Sequence, residues 1–273
     1  MSDRRALESL LSFWSLAGVD TALADGPVDR TARPAEPTPL ARRAAGPMAA
    51  EGPALGAKAP APSPTADRGG LEEARRLAAQ AADLAALEAA IAAFEGCALK
   101  TMGASRAVFA RGAPDAPVMV IGEGPGAEED LRGEPFVGRA GRLLDAMLAA
   151  AGLTGRVFIT NTVFWRPPGN RTPTLAEQEV CAPFVERAIA LVGPRALLLV
   201  GGAAAKAMLK ESHGILSLRG RWFEWRSSDG ALEIPAMPTL HPAFLLRQPA
   251  AKAMAWIDLL TLTERLDRST RTT

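Results

Sequence analysis

The sequence predicts an α/β fold: a three-layer α/β/α sandwich with a central four-stranded parallel sheet. Three observations lead there. Four short apolar runs, at 118–121, 157–160, 196–200 and about 234–240, alternate with helical patterns at roughly 139–151, 175–192, 203–210 and 250–266. Strand–helix alternation of this kind argues for a parallel sheet covered on both faces. The residues with the most chemistry then follow the runs: Glu123 the first, Asn161 the second, Gly201 and Gly202 the third, His241 the fourth. That is the edge at which a parallel sheet places its ligand crevice.

Taken in order, residues 1–23 carry a short amphipathic pattern, with Leu7, Leu10, Leu11 and Trp14 at helical spacing. It reads either as a helix packing on its own domain or as a segment that docks a protein partner. Residues 24–70 are rich in Pro, Ala, Gly and Arg without apolar periodicity, so they are expected to be a disordered linker. Residues 71–94 read as one Ala- and Leu-rich helix leading into the domain, with Gly96 as its stop. The domain itself spans 95–266, and 267–273 form a flexible tail.

A hydrophobic fraction of 48% is enough for a real core, and a net charge of +1 announces no global field for nucleic acid. No apolar run approaches the roughly 18 residues of a membrane span, and SDRRALESLLSFW lacks a secretory h-region, so the cytoplasm is the expected location. Two cysteines, Cys97 and Cys181, make neither a disulfide framework nor a four-cysteine metal site.

The chain is organised around VMVIGEGPGAEEDLRGEPFVGRAG, residues 118–141. Its glycines let backbone amides approach a ligand, while Glu123, Glu129 and Asp130 supply carboxylates. GEGPGA fits a loose dinucleotide fingerprint at Gly122, Gly124 and Ala127, but Pro125 interrupts it and Asn161 stands where the ribose-binding acid belongs. Asn161 is either a turn residue or a reader of an amide or nucleobase edge. His241 is either a buried core histidine or a site group. Phe136, flanked by glycines, is either core or a stacking surface for a flat ligand. RPPGNRTPT, 166–174, carries Arg166 and Arg171 and is either a rigid turn or a phosphate contact.

Together, GEGPGAEEDLRGEPFVGRAG (122–141), TNTVFWRPPGNRTPT (160–174) and HPAFLLRQP (241–249) resemble the family-four uracil-DNA glycosylases of the uracil-DNA glycosylase superfamily. The likeness covers about 95–265. It implies a four-stranded parallel sheet between helices and a DNA-repair activity that hydrolyses uracil from single- or double-stranded DNA. By this resemblance Phe136 stacks on a flipped-out uracil, Asn161 reads its edge, and Gly124 leaves room beside it. Glu123 is the acid next to the anomeric carbon, Glu129 supports the site, and His241 donates to the leaving base. Leu245 wedges into the vacated space, with Arg247 near phosphate and Arg139 and Arg171 as further DNA contacts. A monofunctional, monomeric enzyme is expected. A related branch bonds covalently to its product through a histidine in an inserted loop; WRPPGNRTPT has neither the insertion nor the histidine.

The chain departs from that family at its [4Fe-4S] ligands. Cys97 and Cys181 occupy the second and fourth cysteine positions, while Phe94 and Trp165 stand at the first and third. A cluster needs four ligands, so none is expected, with apolar packing of the two aromatic residues in its place. A uracil- or abasic-site-binding protein without efficient cleavage, and an unrelated nucleotide-binding enzyme, are the competing readings.

Overall fold

The computed structural model describes residues 64–270; the amphipathic segment at 1–23, the linker up to 63 and residues 271–273 lie outside them. Six strands among the described residues, β1 (Ala110–Gly112), β2 (Val118–Gly122), β3 (Val157–Asn161), β4 (Ala196–Val200), β5 (Phe223–Arg226) and β6 (Glu233–Thr239), form one sheet in the order β1-β3-β2-β4-β6-β5. The helices are α1 (Pro64–Gln80), α2 (Leu84–Ala93), α3 (Ala127–Arg132), α4 (Arg139–Ala150), α5 (Leu175–Val192), α6 (Gly202–Leu209), α7 (Ile215–Leu218), α8 (Pro242–Arg247) and α9 (Lys252–Thr270).

Side-chain alternation along the inner strands divides the core in two. Met119, Ile121, Leu197 and Leu199 join one cluster with Ala74, Leu87, Phe184 and Ile189 from α1, α2 and α5. Val118, Val120, Leu198 and Val200 join the other with Leu144 and Leu148 of α4 and Leu259 and Leu262 of α9. Because both faces are covered, β2, β3 and β4 are buried along their whole length.

The four predicted strands are present and mutually parallel. The count of four is corrected to six by an antiparallel strand at each edge, β1 on β3 and β5 on β6. Neither announces itself: β1 is only Ala110, Arg111 and Gly112, and β5 is four residues with one buried side chain. The expected single helix over 71–94 is two. Asp83 accepts from the Ala86 amide at 2.8 Å and starts α2. The helix before it begins at Pro64, inside the stretch that composition assigns to linker; proline suits a first helical position.

From β2 the chain passes to β3 on one side and then to β4 on the other. The carboxyl ends of β2 and β4 therefore flank a topological switch point, where the loops diverge and leave a crevice. Gly122 ends β2 and Gly201 follows β4.

Phe184 anchors the first cluster, fully buried and edge-on to Phe94 at 5.2 Å between centroids. Phe184→Ala is expected to cost about 3–5 kcal/mol in urea unfolding, whereas Leu175→Ala, at a position 68% exposed, changes stability by no more than about 0.5 kcal/mol.

Candidate active site

Gly122 lets two site residues meet. A Cβ there would lie 2.5 Å from both Asn161 Oδ1 and Phe136 Cζ, so the Asn161 side chain and the Phe136 ring pack on a position that only hydrogen leaves open. The parallel register pairs Gly122 directly with Asn161. Asn161 is buried, and its Oδ1 accepts no hydrogen bond within the described residues. A buried carbonyl oxygen left without a donor is costly unless a ligand supplies one. Phe136 is 7% exposed and faces the His241 ring at 5.9 Å between centroids, with 32° between planes.

His241 is the N-cap of α8, its Nδ1 accepting from the Ala243 amide at 3.1 Å. That bond makes Nδ1 the acceptor, so the ring proton sits on Nε2, free to be donated. Burial lowers the His241 pKa from 6.5 to about 4, with nearby Arg247 acting in the same direction and Glu129 against it. At neutral pH the ring is uncharged. Gly201, at φ 96°, lies against it: a Cβ there would be 3.0 Å from His241 Cβ.

Glu123 is half-buried directly after β2, its backbone carbonyl accepting from Thr162 Oγ1 at 2.6 Å. Among the described residues nothing hydrogen-bonds its carboxylate, which is left available at the mouth of the crevice. Glu129 behaves differently. Its Oε1 accepts from the Val137 and Gly138 amides, each at 3.0 Å, and its Oε2 from the Gly126 amide at 3.1 Å. These bonds fold the Gly-rich loop back on itself, so Glu129 braces the loop rather than presenting an open carboxylate. They also occupy the Gly138 amide at the start of α4.

The other five predicted site residues take varied placements. A Cβ at Gly124 would lie 2.9 Å from Val163 Cγ2, with Pro173 and Pro167 beyond it. Leu245 is fully buried with Leu240, Ala251 and Ala255 and projects no wedge, whereas its neighbour Leu246 is 38% exposed. Arg171 is committed to the fold: its guanidinium grips Glu177 through two hydrogen bonds of 2.8 and 2.6 Å. Burial works against that carboxylate, but Arg171 and the Thr174 amide outweigh it and hold its pKa below the usual value. Thr174 and Glu177 also cap α5 reciprocally, which makes RPPGNRTPT a rigid turn. Arg139 and Arg247 are exposed, at the start of α4 and the end of α8. The sequence marks Gly122 as a loop glycine but not as the point where Asn161 and Phe136 meet, because close approach by distant side chains leaves no local signal.

Away from the crevice, Phe94, Cys97, Trp165 and Cys181 are gathered in the first core cluster. The Phe94 and Trp165 rings are 6.3 Å apart, and Cys181 donates its thiol proton to Cys97 Sγ at 4.0 Å. That hydrogen bond and burial push the Cys181 thiol well above its ordinary pKa.

Residues 109–260 match the family described as the uracil DNA glycosylase superfamily. The chain is also similar to the type-4 uracil-DNA glycosylase of Pyrobaculum aerophilum, at 39% identity over 52% of this chain and 74% of that protein. The type-4 enzymes of Thermotoga maritima and Sulfurisphaera tokodaii are each 38% identical, over 51% and 53% of this chain and 71% and 68% of their own lengths. The matched span contains β1 to β6 together with Asn161 and Phe136, which meet at Gly122, and His241, whose ring faces Phe136: the chain belongs to the uracil-DNA glycosylase superfamily.

Proposed function

We propose that the chain is a monofunctional uracil-DNA glycosylase of base excision repair, which hydrolyses the N-glycosidic bond of uracil in DNA and leaves an abasic site. The observation that carries this is the buried, unpartnered Asn161 Oδ1 beside the Phe136 ring. Uracil offers a flat face to the ring and an N3–H donor to that oxygen, whereas cytosine presents an acceptor at the same place. A base must leave the duplex to reach such a site, at a cost of a few kcal/mol that is least when it is mispaired.

As the glycosidic bond lengthens, positive charge grows on the sugar and negative charge on the base. The Glu123 carboxylate stabilises the first or positions the attacking water. The Nε2–H of His241 donates to the base oxygen that gathers the second. A neutral imidazole held by its N-cap bond to Ala243 is oriented before the charge develops, which is where electrostatic catalysis draws its strength. Arg139 and Arg247 serve the DNA phosphates. Exposed Leu246 takes the wedging role that buried Leu245 cannot fill.

The same reading includes catalysis without an iron–sulfur cluster. What supports it is the donor set: two thiols 4.0 Å apart, with Phe94 and Trp165, which stand at the family's other two cysteine positions by the resemblance, offering rings 6.3 Å apart instead of thiolates. These residues do not fit a [4Fe-4S] centre.

Purified protein should cleave a uracil-containing oligonucleotide after alkali treatment, without stoichiometric iron, and Glu123→Gln and Asn161→Ala should each lower the rate roughly a hundredfold, about 2.7 kcal/mol. Retained binding of uracil or abasic DNA without cleavage would favour a damage-binding protein instead. The unfolded chain binds a proton on His241 below pH 6.5 that the folded chain refuses until about pH 4. His241 therefore contributes stability in full above pH 6.5 and loses it as pH falls towards 4. In urea unfolding, wild type is expected to lose more stability between pH 7 and pH 4.5 than His241→Gln.

A further inference from the structure

Phe136 has φ 56°, in the left-handed region that a bulky side chain occupies only where its surroundings impose it. Its surroundings do so from three directions. Glu129 holds the amides of Val137 and Gly138, just after the ring-bearing residue. The Phe136 carbonyl lies so close to Gly141 that a Cβ there would be 1.7 Å from its oxygen. From the third side comes Arg111 of β1, one of the two edge strands absent from the predicted sheet. Its Nε donates to the Pro135 carbonyl at 2.8 Å, and its Nη2 donates to the Phe136 carbonyl at 3.2 Å and to Asp145 Oδ1 at 2.6 Å.

We infer that Arg111 is a positioning residue for base recognition: it holds the Phe136 turn against strand β3, which carries Asn161. Arg111 stands opposite Ile159 of β3, so one guanidinium ties the stacking ring to the strand whose last residue reads the base edge. The spacing between stack and reader is thereby set by a sheet register rather than by a loop. Only a planar fork can serve two carbonyls and a carboxylate together; a lysine ammonium has the charge without that geometry. The inference rests on the assignment of Phe136 as the stacking surface.

The test is a double-mutant cycle on single-turnover uracil excision at saturating enzyme, comparing Arg111→Ala, Phe136→Ala and the double variant, with urea unfolding and abasic-DNA affinity measured alongside. If Arg111 acts through the ring, Arg111→Ala slows excision roughly ten- to a hundredfold when Phe136 is present and less than about threefold when it is absent. Abasic-DNA affinity stays unchanged. Equal losses in both backgrounds, or no loss in either, overturn the inference. Should Phe136→Ala leave excision at the wild-type rate, the stacking assignment itself fails, a result separable from the behaviour of Arg111. Where Arg111→Ala does not fold, Arg111→Lys enters the same cycle, keeps the charge, and is expected to show the same dependence on Phe136.

Discussion

The missing side chain at Gly122 is the constraint on which the site depends. β2 must end where its neighbour β3 ends, because the parallel register pairs Gly122 with Asn161. At that point the Asn161 amide and the Phe136 ring both need the volume that a Cβ would fill, each with an atom 2.5 Å from where it would stand. Neither can retreat easily: Asn161 is the last residue of a buried strand, and Phe136 is fixed in a left-handed turn. An alanine would have to displace one of them, and displacement of an ångström is enough to weaken recognition strongly.

Around that point the site is assembled by groups that hold backbone rather than substrate. Glu129 gathers three amides and Arg111 two carbonyls of the same loop, while Ala243 fixes the His241 ring. Orientation is thus settled before a ligand arrives, and binding energy need not be spent on ordering the loop. It also explains how a chain of net charge +1 can act on a polyanion. Recognition here is concentrated in a shaped crevice where Asn161 and Phe136 are buried, while Arg139 and Arg247 are exposed at the start of α4 and the end of α8.

The parallel sheet was legible because it obeys local rules. VMVI and ALLLV are apolar on both faces, and the helices between have clear periodicity. The T-x-x-E pattern at Thr174 and Glu177 marks the start of α5 to the residue. The edge strands were not legible, since three or four residues pairing on one side carry little pattern of their own. The candidate site residues Glu123, Asn161 and His241 stood out by type and by place at strand ends, and Phe136 by its place in a glycine-rich loop. The direction of a side chain is another matter. Leu245 turns into the core and Arg171 into an ion pair because of tertiary partners far along the chain or in an adjacent capping box.

The aromatic and thiol core bears on the crevice more directly than its distance suggests. Trp165 belongs to the same short segment as Asn161, and it is locked by Phe94 on one side and by Phe164 at 6.2 Å on the other. Phe164 in turn accepts the Val108 amide through its carbonyl at 2.7 Å, and Phe109 accepts Thr160 Oγ1 at 2.7 Å. The stretch leading to β1 is therefore bonded to the chain on both sides of Asn161, to Thr160 within β3 and to Phe164 just beyond it. Large rings bury far more apolar surface than the thiols beside them. Side chains of this core thus anchor the segment that carries Asn161, and through β1 the same packing extends to Arg111 and the turn that holds Phe136.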